Sequence, residues 1–187
     1  MANETNEEYK IDFVPGDTVV EPTIGICNVE GVRTMNVDGV EEDYFIFTSG
    51  KARVMVPKSQ LPTRGIRKPM TAEGVKKIFN LLKMPVSPSR GDARQQYLNY
   101  RDIIKSGDPT KICKLIRELY ILDETDELKG KEKEIMEQAM AFLVEEILFV
   151  TDDSKTKIRR EIEECLSKMY KKKVDKDTKS DKDAKKS

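Results

Sequence analysis

The sequence predicts an α+β protein, with a small antiparallel β module of the SH3/Tudor-like kind followed by a bundle of about four or five helices. Two patterns support this prediction. Residues 14–57 hold short β-branched and aromatic segments separated by turn sequences, whereas from residue 71 onward apolar residues recur three and four positions apart. Apolar residues make up 37% of the 187 residues and charged residues 36%, which suits two modest cores better than one thick core.

Turn-forming residues delimit the first two predicted strands. The first strand begins at residues 18–20, and Pro22 limits it to a few residues or to an edge position. The second strand covers residues 24–37 and contains Gly25 and Gly31, as expected where a strand bends or bulges.

The rest of the β module contains two further turn signals. Asp38-Gly39 favours a two-residue hairpin, because glycine accepts the positive φ that such turns require. Residues 44–47 resume the sheet, residues 49–51 turn it, and residues 53–56 close it before Pro57. Four or five short strands without an intervening helix predict a small bent sheet or barrel over residues 10–60.

Residues 61–70 are predicted to link the two parts of the chain. Pro62 and Pro69 suit an extended connector. Arg64, Arg67 and Lys68 either lie in a solvated loop or contact phosphate, and the sequence leaves both readings open.

The helical part is predicted to cover residues 71–170. A first helix begins near Thr71 and ends before Pro85, because its apolar residues follow the i, i+3, i+4, i+7 spacing. A second helix runs from about residue 92 to 105, and we expect Ala93, Tyr97 and two later residues of the same stripe to face inward.

Three more helices are predicted after the Ser-Gly pair at residues 106–107. Asp108 caps the third helix, and Pro109 occupies its first position, where a missing N–H has no cost. A charged loop at residues 123–130 precedes a long fourth helix. Asp152 or Asp153 is expected to cap a fifth helix that ends near residue 170. These stripes are typical of core packing in a compact bundle.

Both ends of the chain are predicted to be disordered, because residues 1–9 and the lysine-rich tail at 171–187 have almost nothing to bury. The overall net charge is zero, but the helical body is acidic and the tail is basic. The polar, acidic start is not a signal peptide, and no apolar run reaches the roughly 20 residues that span a bilayer. We therefore expect a cytoplasmic protein that does not enter a membrane.

The composition argues against an enzyme or a metal protein. The chain has no histidine, so the commonest general base and metal ligand are missing. Cys27, Cys113 and Cys165 are odd in number and far apart, and we expect three buried thiols rather than disulfides or zinc ligands. No phosphate-binding glycine motif occurs. We expect no catalytic residue, no metal and no cofactor, and hence a binding protein.

The order of several short motifs resembles the CarD/CdnL family of bacterial transcription regulators. In the β module these are GDTVV at residues 16–20 followed by Pro22, Gly39 with Tyr44, and V-x-VP at residues 54–57. The helical half adds motifs in the same order, namely Tyr97, SGD at 106–108, LIREL at 115–119 and FLVEE at 142–146. The resemblance covers roughly residues 10–167.

For the β module, the resemblance implies an RNA-polymerase-interacting domain that docks on the polymerase β subunit. The positions that correspond to its polymerase-facing side are Met35, Asn36, Val37 and Met55. Family members often carry arginine at the first and last of these positions, whereas this chain has methionine. Methionine can still form an adaptable apolar contact. The same residues could instead be ordinary, partly buried strand residues.

For the helical domain, the resemblance implies a position beside promoter DNA, where a tryptophan acts as a minor-groove wedge next to two arginines. The tryptophan position corresponds to Ala93, and the arginine positions correspond to Gln95 and Gln96. Arg94 and Arg101 could still contact phosphate. We therefore expect weak promoter DNA contact, with the lysine-rich tail as a loose electrostatic arm or merely a solubilising segment.

The sequence thus predicts a nucleoid-associated regulator that binds RNA polymerase and modulates the stability of the promoter open complex. We expect it to act as a monomer. The alternative is a protein–protein adaptor that uses the same β module and never contacts DNA. Neither activation nor repression follows from the sequence.

Overall fold

The computed structural model describes residues 13–50, 52–89 and 91–184. Contacts divide the chain into two compact units, and the boundary falls between Lys68 and Pro69. The predicted α+β class is confirmed, because a curled four-stranded antiparallel sheet precedes five helices. The segment at residues 1–9, for which we predicted disorder, lies outside the described residues.

The first unit, the β module, is a meander in which each strand pairs with the next along the chain. Its strands are β1 (Thr18–Glu21), β2 (Gly25–Val37), β3 (Val40–Ser49) and β4 (Ala52–Pro57). The predicted hairpin turn lies between β2 and β3, where Asp38 has a φ of 54° and Gly39 a φ of 84°. The predicted irregularity near Gly31 is present as a bulge, since the β2–β3 register shifts between Val29 and Gly31.

The core of the β module extends into the segment predicted to be a linker. Leu61 and Ile66 are buried in the same cluster as Val19 and Phe47. The chain then forms a bridge with β1, because the Val20 N–H donates to the Arg67 carbonyl at 2.8 Å. The linker prediction was therefore wrong for residues 61–67. Pro62 and Pro69 predicted a connector, but burial of Leu61 and Ile66 in the module core is more favourable than their exposure to water.

The second unit contains five helices, and every predicted helix is present. They are α1 (Ala72–Leu82), α2 (Ala93–Ser106), α3 (Pro109–Glu124), α4 (Gly130–Val150) and α5 (Lys155–Ala184). The predicted Asp108 cap is confirmed, because its carboxylate accepts the N–H groups of Thr110 at 2.8 Å and Lys111 at 3.2 Å. Gly107 ends α2 with a φ of 62°.

Helix α5 differs from its prediction at both ends. Ser154 precedes it and accepts the Lys157 N–H at 3.3 Å, so neither Asp152 nor Asp153 is the cap. The helix continues to Ala184, whereas we predicted disorder from residue 171 onward. Residues 171–184 contain neither glycine nor proline, so nothing local stops the helix. The prediction relied on the missing apolar stripe, which reports on packing rather than on backbone conformation.

The helices enclose one apolar core, and the predicted stripes supply it. Fully buried members come from each of α1, α3, α4 and α5, for example Leu82, Leu119, Leu143 and Ile162. Buried Glu146 fixes the chain entering α1, since its carboxylate accepts the Met70 N–H at 2.7 Å. None of the described helices carries an apolar stretch long enough to cross a lipid bilayer.

Candidate functional site

Part of the β2–β3 hairpin has no other described strand beside it. Strand β1 pairs with β2 only over residues 25–28, and β4 pairs with β3 only over residues 44–49. Residues 34–43, which we call the ribbon, therefore pair only with each other among the described strands. A two-stranded ribbon of this kind presents both of its faces for contact.

The register places three of the four polymerase-facing candidates on one face of the sheet. Directly opposed residues of antiparallel strands share a face, and faces alternate along a strand. Met35 lies opposite Glu42 and Val37 opposite Val40, while Met55 lies opposite Ile46. Because Glu42, Val40 and Ile46 have the same parity on β3, all these residues share one face, which we call the outer face. Asn36 lies opposite Glu41, on the other face.

Apart from Glu42, the outer face of the ribbon and of neighbouring β4 presents apolar side chains that are accessible to solvent. Val40 is 64% exposed, Val37 47% and Met55 37%, and Met35 is half-buried. The sequence reading missed Val40, although its position directly across the Asp38-Gly39 turn from Val37 could have revealed it. Exposed apolar side chains grouped on one face are typical of a docking surface.

The bulge in β2 decides which residues reach the outer face. Cys27 and Val29 point into the module core, so uninterrupted alternation would send Met35 and Val37 to the core side as well. The extra residue at Glu30 shifts the register, and Val32 instead shares the face of buried Phe45. Met35 and Val37 are thereby turned outward.

One edge of the sheet is available for strand addition. The bridge between Val20 and Arg67 covers the edge at β1, whereas no described strand pairs with the outer edge of β4. The pair that flanks a two-residue turn is hydrogen-bonded, and bonded and non-bonded pairs then alternate. Ser49 and Ala52 flank the β3–β4 turn. Met55 therefore directs its backbone N–H and C=O toward that edge.

The other surfaces of the ribbon are acidic. Asp38 lies at the turn, and Glu41 and Asp43 lie on the face opposite to Val37 and Val40. Asp43 accepts a hydrogen bond from the Thr34 hydroxyl at 2.8 Å. Glu42, by contrast, lies on the outer face opposite Met35 and accepts the Ser59 N–H at 3.0 Å. Hydrogen bonds from Ser59 hold the pKa of this carboxyl below its usual value.

The DNA-facing candidates lie on α2. Ala93, Arg94 and Gln95 are exposed in its first turn, and Arg101 is exposed two turns later. Gln96 is half-buried, and its Nε2 donates to the Ser89 carbonyl at 2.7 Å. The inward position predicted for Ala93 was wrong. At the start of α2 it lies beyond the core, and the inward stripe begins at Tyr97.

A row of α2 side chains missed by the sequence reading joins the two arginines. Arg94, Leu98, Arg101 and Lys105 are spaced i, i+4, i+7, i+11, so they line one exposed side of the helix. Leu98 is 44% exposed between the cations. Lys131 of α4 lies over the Tyr97 ring at 5.8 Å and adds a further positive charge beside this row. The helical spacing of Arg94 and Arg101 in the sequence could have revealed this row.

The sequence-predicted thiols are all buried and unpaired. Burial is the main reason that the pKa values of Cys27 and Cys113 rise to about 11, and it also raises the pKa of Cys165. Such thiols are inert at neutral pH. Within the described ranges, no three His, Cys, Asp or Glu side chains are grouped so that they could hold a metal ion.

Comparison with known proteins matches each unit to a domain family. Residues 13–70 match the CarD-like/TRCF RID domain, and residues 77–163 match CarD, C-terminal domain. A relative from Bacillus subtilis (strain 168), named "Putative transcription factor YdeB", is 23% identical over 137 residues. That alignment covers 72% of this chain and 90% of the relative.

Proposed function

Because this chain belongs to the CarD/CdnL-like family of transcription-associated, non-enzymatic proteins, we propose that it binds the β subunit of RNA polymerase through its β module. Bound there, it modulates the stability of the promoter open complex as a monomeric, nucleoid-associated regulator. The helical unit contributes only weak DNA contact.

One observation carries the docking proposal: the outer face and the open edge meet at Met55. Its side chain shares the outer face with Met35 and Val37, and its backbone polar groups face the edge of β4. A strand added at that edge gains main-chain hydrogen bonds, and its side chains reach the apolar residues beside it. Asn36 faces the opposite side, so we assign it no contact on the outer face.

A binding measurement with the cognate polymerase β subunit tests this surface. We expect Met35→Asp combined with Met55→Asp to lower affinity by roughly a hundredfold, because two carboxylates lose their hydration in an apolar contact. Met84→Asp is the matched control, since Met84 is an exposed methionine of the helical unit. Unchanged affinity of the double variant, with its fold intact, contradicts the docking proposal.

For DNA, the row on α2 and the tail are the proposed contacts. Ala93, Gln95 and Gln96 carry no charge, so phosphate contact is left to Arg94, Arg101 and the lysine-rich tail. We expect the full chain to bind duplex DNA weakly and with steep salt dependence, and deletion of residues 171–187 to remove most of that affinity. Retained affinity after the deletion would assign the contact to α2 instead.

The regulatory part of the proposal predicts a changed open-complex lifetime. The half-life of a promoter open complex is measured with the full chain, with the Met35→Asp and Met55→Asp double variant, and without protein. A half-life that is altered by the wild type alone supports regulation through docking. Identical half-lives in all three samples contradict it.

A second candidate is an adaptor that docks on the polymerase but does not touch DNA. The uncharged side chains of Ala93, Gln95 and Gln96 favour it, since they cannot neutralise phosphate. Footprinting on a polymerase–promoter complex separates the two functions. The regulator extends or stabilises protection near the bubble, whereas the adaptor leaves the footprint unchanged.

A further inference from the structure

We propose that the ribbon selects a partner surface in which an apolar groove runs beside a cluster of lysine or arginine residues. This inference rests on the proposed docking to the polymerase β subunit and specifies the chemistry of the site it meets there. It assigns binding roles to Asp38, Val40, Glu41 and Asp43.

The ribbon concentrates acidic charge. Its ten residues include Asp38, Glu41, Glu42 and Asp43 and contain no lysine or arginine. The remaining described acids of the β module are each beside a cation. These pairs are Asp17 with Lys68 at 3.9 Å, Glu21 with Arg64 at 3.4 Å and Glu30 with Arg53 at 2.5 Å.

No described lysine or arginine pairs with the acids of the ribbon. The contacts that Asp43 and Glu42 do make are hydrogen bonds from neutral groups, the Thr34 hydroxyl and the Ser59 N–H. Such contacts orient a carboxylate but leave its charge uncompensated. The negative charge of the module is therefore concentrated at the place where the ribbon is most accessible to another molecule.

The two faces of the ribbon divide the chemistry. Val37, Val40 and Met35 make the outer face mainly apolar, and Glu42, the acid on that face, already accepts the Ser59 N–H. Glu41 and Asp43 lie on the other face together with Asn36. Asp38 at the turn lies where the faces meet. Such a ribbon can place its outer face in an apolar groove of the partner while its other face contacts a cluster of lysine or arginine residues. Charge complementarity then determines the orientation in which the ribbon docks.

Charge and apolar contact should act on different rate constants. Complementary charge mainly raises the association rate and loses its effect in salt, whereas the desolvated apolar contact mainly slows dissociation. The two halves of the inference can therefore be tested separately on the full chain, with the cognate polymerase β subunit immobilised.

For the charged half, Glu41→Lys changes an exposed side chain that faces Asn36. We expect its association rate to fall about tenfold at low salt, the difference to shrink at high salt, and dissociation to change little. Asp38→Asn is a second variant that keeps a residue tolerant of the positive φ. Glu134→Lys, on an exposed position of α4, is the control because it changes net charge equally.

For the apolar half, the double variant Val37→Thr and Val40→Thr keeps β-branched shapes and replaces two methyl groups by hydroxyls. We expect its dissociation rate to rise about tenfold with little change in association. Val32→Thr is the matched control, because Val32 is 42% exposed but lies on the other face. Thermal unfolding of each variant checks that the module is folded.

The outcomes distinguish failure of this inference from failure of the proposed docking to the polymerase β subunit. If the wild type does not bind the β subunit, the proposed docking fails and the inference fails with it. If the wild type binds, but Glu41→Lys and Asp38→Asn associate as fast as the wild type at low salt, the docking proposal stands and the basic cluster on the partner is refuted. If the double variant Val37→Thr and Val40→Thr dissociates no faster than Val32→Thr, the apolar groove on the partner is refuted.

Discussion

The β module and the helical unit both bury a continuous core, but they expose different chemistry. The module leaves Val37, Val40 and Met55 accessible on one face of its sheet. The helical unit buries its stripes and presents cations along α2, with Leu98 between them. An exposed apolar face suits stable contact with protein, whereas exposed cations give contacts with phosphate that are salt-dependent. We therefore propose that docking belongs to the first unit and any DNA contact to the second.

The two units also hold the segment between them in the same way, each with one buried glutamate. In the module, Glu21 accepts the N–H groups of Thr23 at 2.7 Å and Ile24 at 2.9 Å and lies 3.4 Å from Arg64. In the helical unit, Glu146 accepts the Met70 N–H. With the bridge between Val20 and Arg67, these contacts leave a shorter connection than the linker that the prolines suggested.

The largest expected effect comes from a substitution that creates a cavity in the core of one unit and so tests whether the two units unfold separately. Leu143 is fully buried in α4, so Leu143→Ala is expected to destabilise the helical unit by about 3 kcal/mol, or roughly a hundredfold in its unfolding equilibrium. Because Cys113 lies in the same core, its labelling by a thiol reagent should accelerate by about that factor. Cys27 reports on the β module in the same experiment, and its rate should not change.

Mass spectrometry of the labelled peptides assigns each rate to its thiol. Unfolded protein in denaturant gives the reference rate for each cysteine. Leu98→Ala is the control, because Leu98 is an exposed leucine of the same unit. If Leu143→Ala accelerates Cys27 as much as Cys113, the units unfold together and the comparison fails.

A smaller effect is expected from loss of the glutamate in the β module. Glu21→Ala leaves the Thr23 N–H without its acceptor in a partly buried turn and removes the ion pair with Arg64. We expect a loss of about 1–3 kcal/mol, confined to the module. Amide hydrogen exchange measures it, with faster exchange in β1 and β2 and no change in α3 and α4.

The converse variant tests the same point from the other unit. Glu146→Ala should accelerate exchange in α1 and α4, because the Met70 N–H just before α1 loses its acceptor. Equal effects of both variants on both units would mean that the two glutamates stabilise one shared structure.

The smallest expected effect is a pH dependence specific to the β module. Hydrogen bonds from Arg53 lower the pKa of Glu30, and those from Ser59 lower the pKa of Glu42. A pKa below the unfolded value means that the stabilisation is fully present above the unfolded pKa and is lost as pH falls through the folded one. The module should therefore lose a little stability below about pH 4.5.

Urea unfolding at about pH 7 and about pH 3.5 measures this loss. Glu30→Gln combined with Glu42→Gln should reduce it, because neither replacement titrates. Glu134→Gln serves as the control, since that exposed side chain lies in the other unit. An unaltered pH dependence in the double variant would show that other carboxyls are responsible.

Local sequence signals predicted most of the elements correctly. The Asp38-Gly39 hairpin, the irregularity at Gly31, the Asp108 cap and the stop at Gly107 are where the sequence puts them. Each of these features depends on the φ, ψ preference or hydrogen-bonding capacity of one or two residues, so neighbours along the chain are sufficient to specify it. The same holds for the helical stripes, whose spacing records which side of a helix must be buried.

The sequence did not determine which faces and segments are buried, because these depend on contacts between residues distant along the chain. Leu61 and Ile66 were predicted to lie in a linker, but the sheet provides a core that buries them. Ala93 was predicted to face inward, but it is exposed in the first turn of α2. The candidate docking face shows this most clearly. The turn and the apolar residues were evident, but only the pairing of β2 with β3 placed the extra residue at Glu30 and so turned Met35 and Val37 outward.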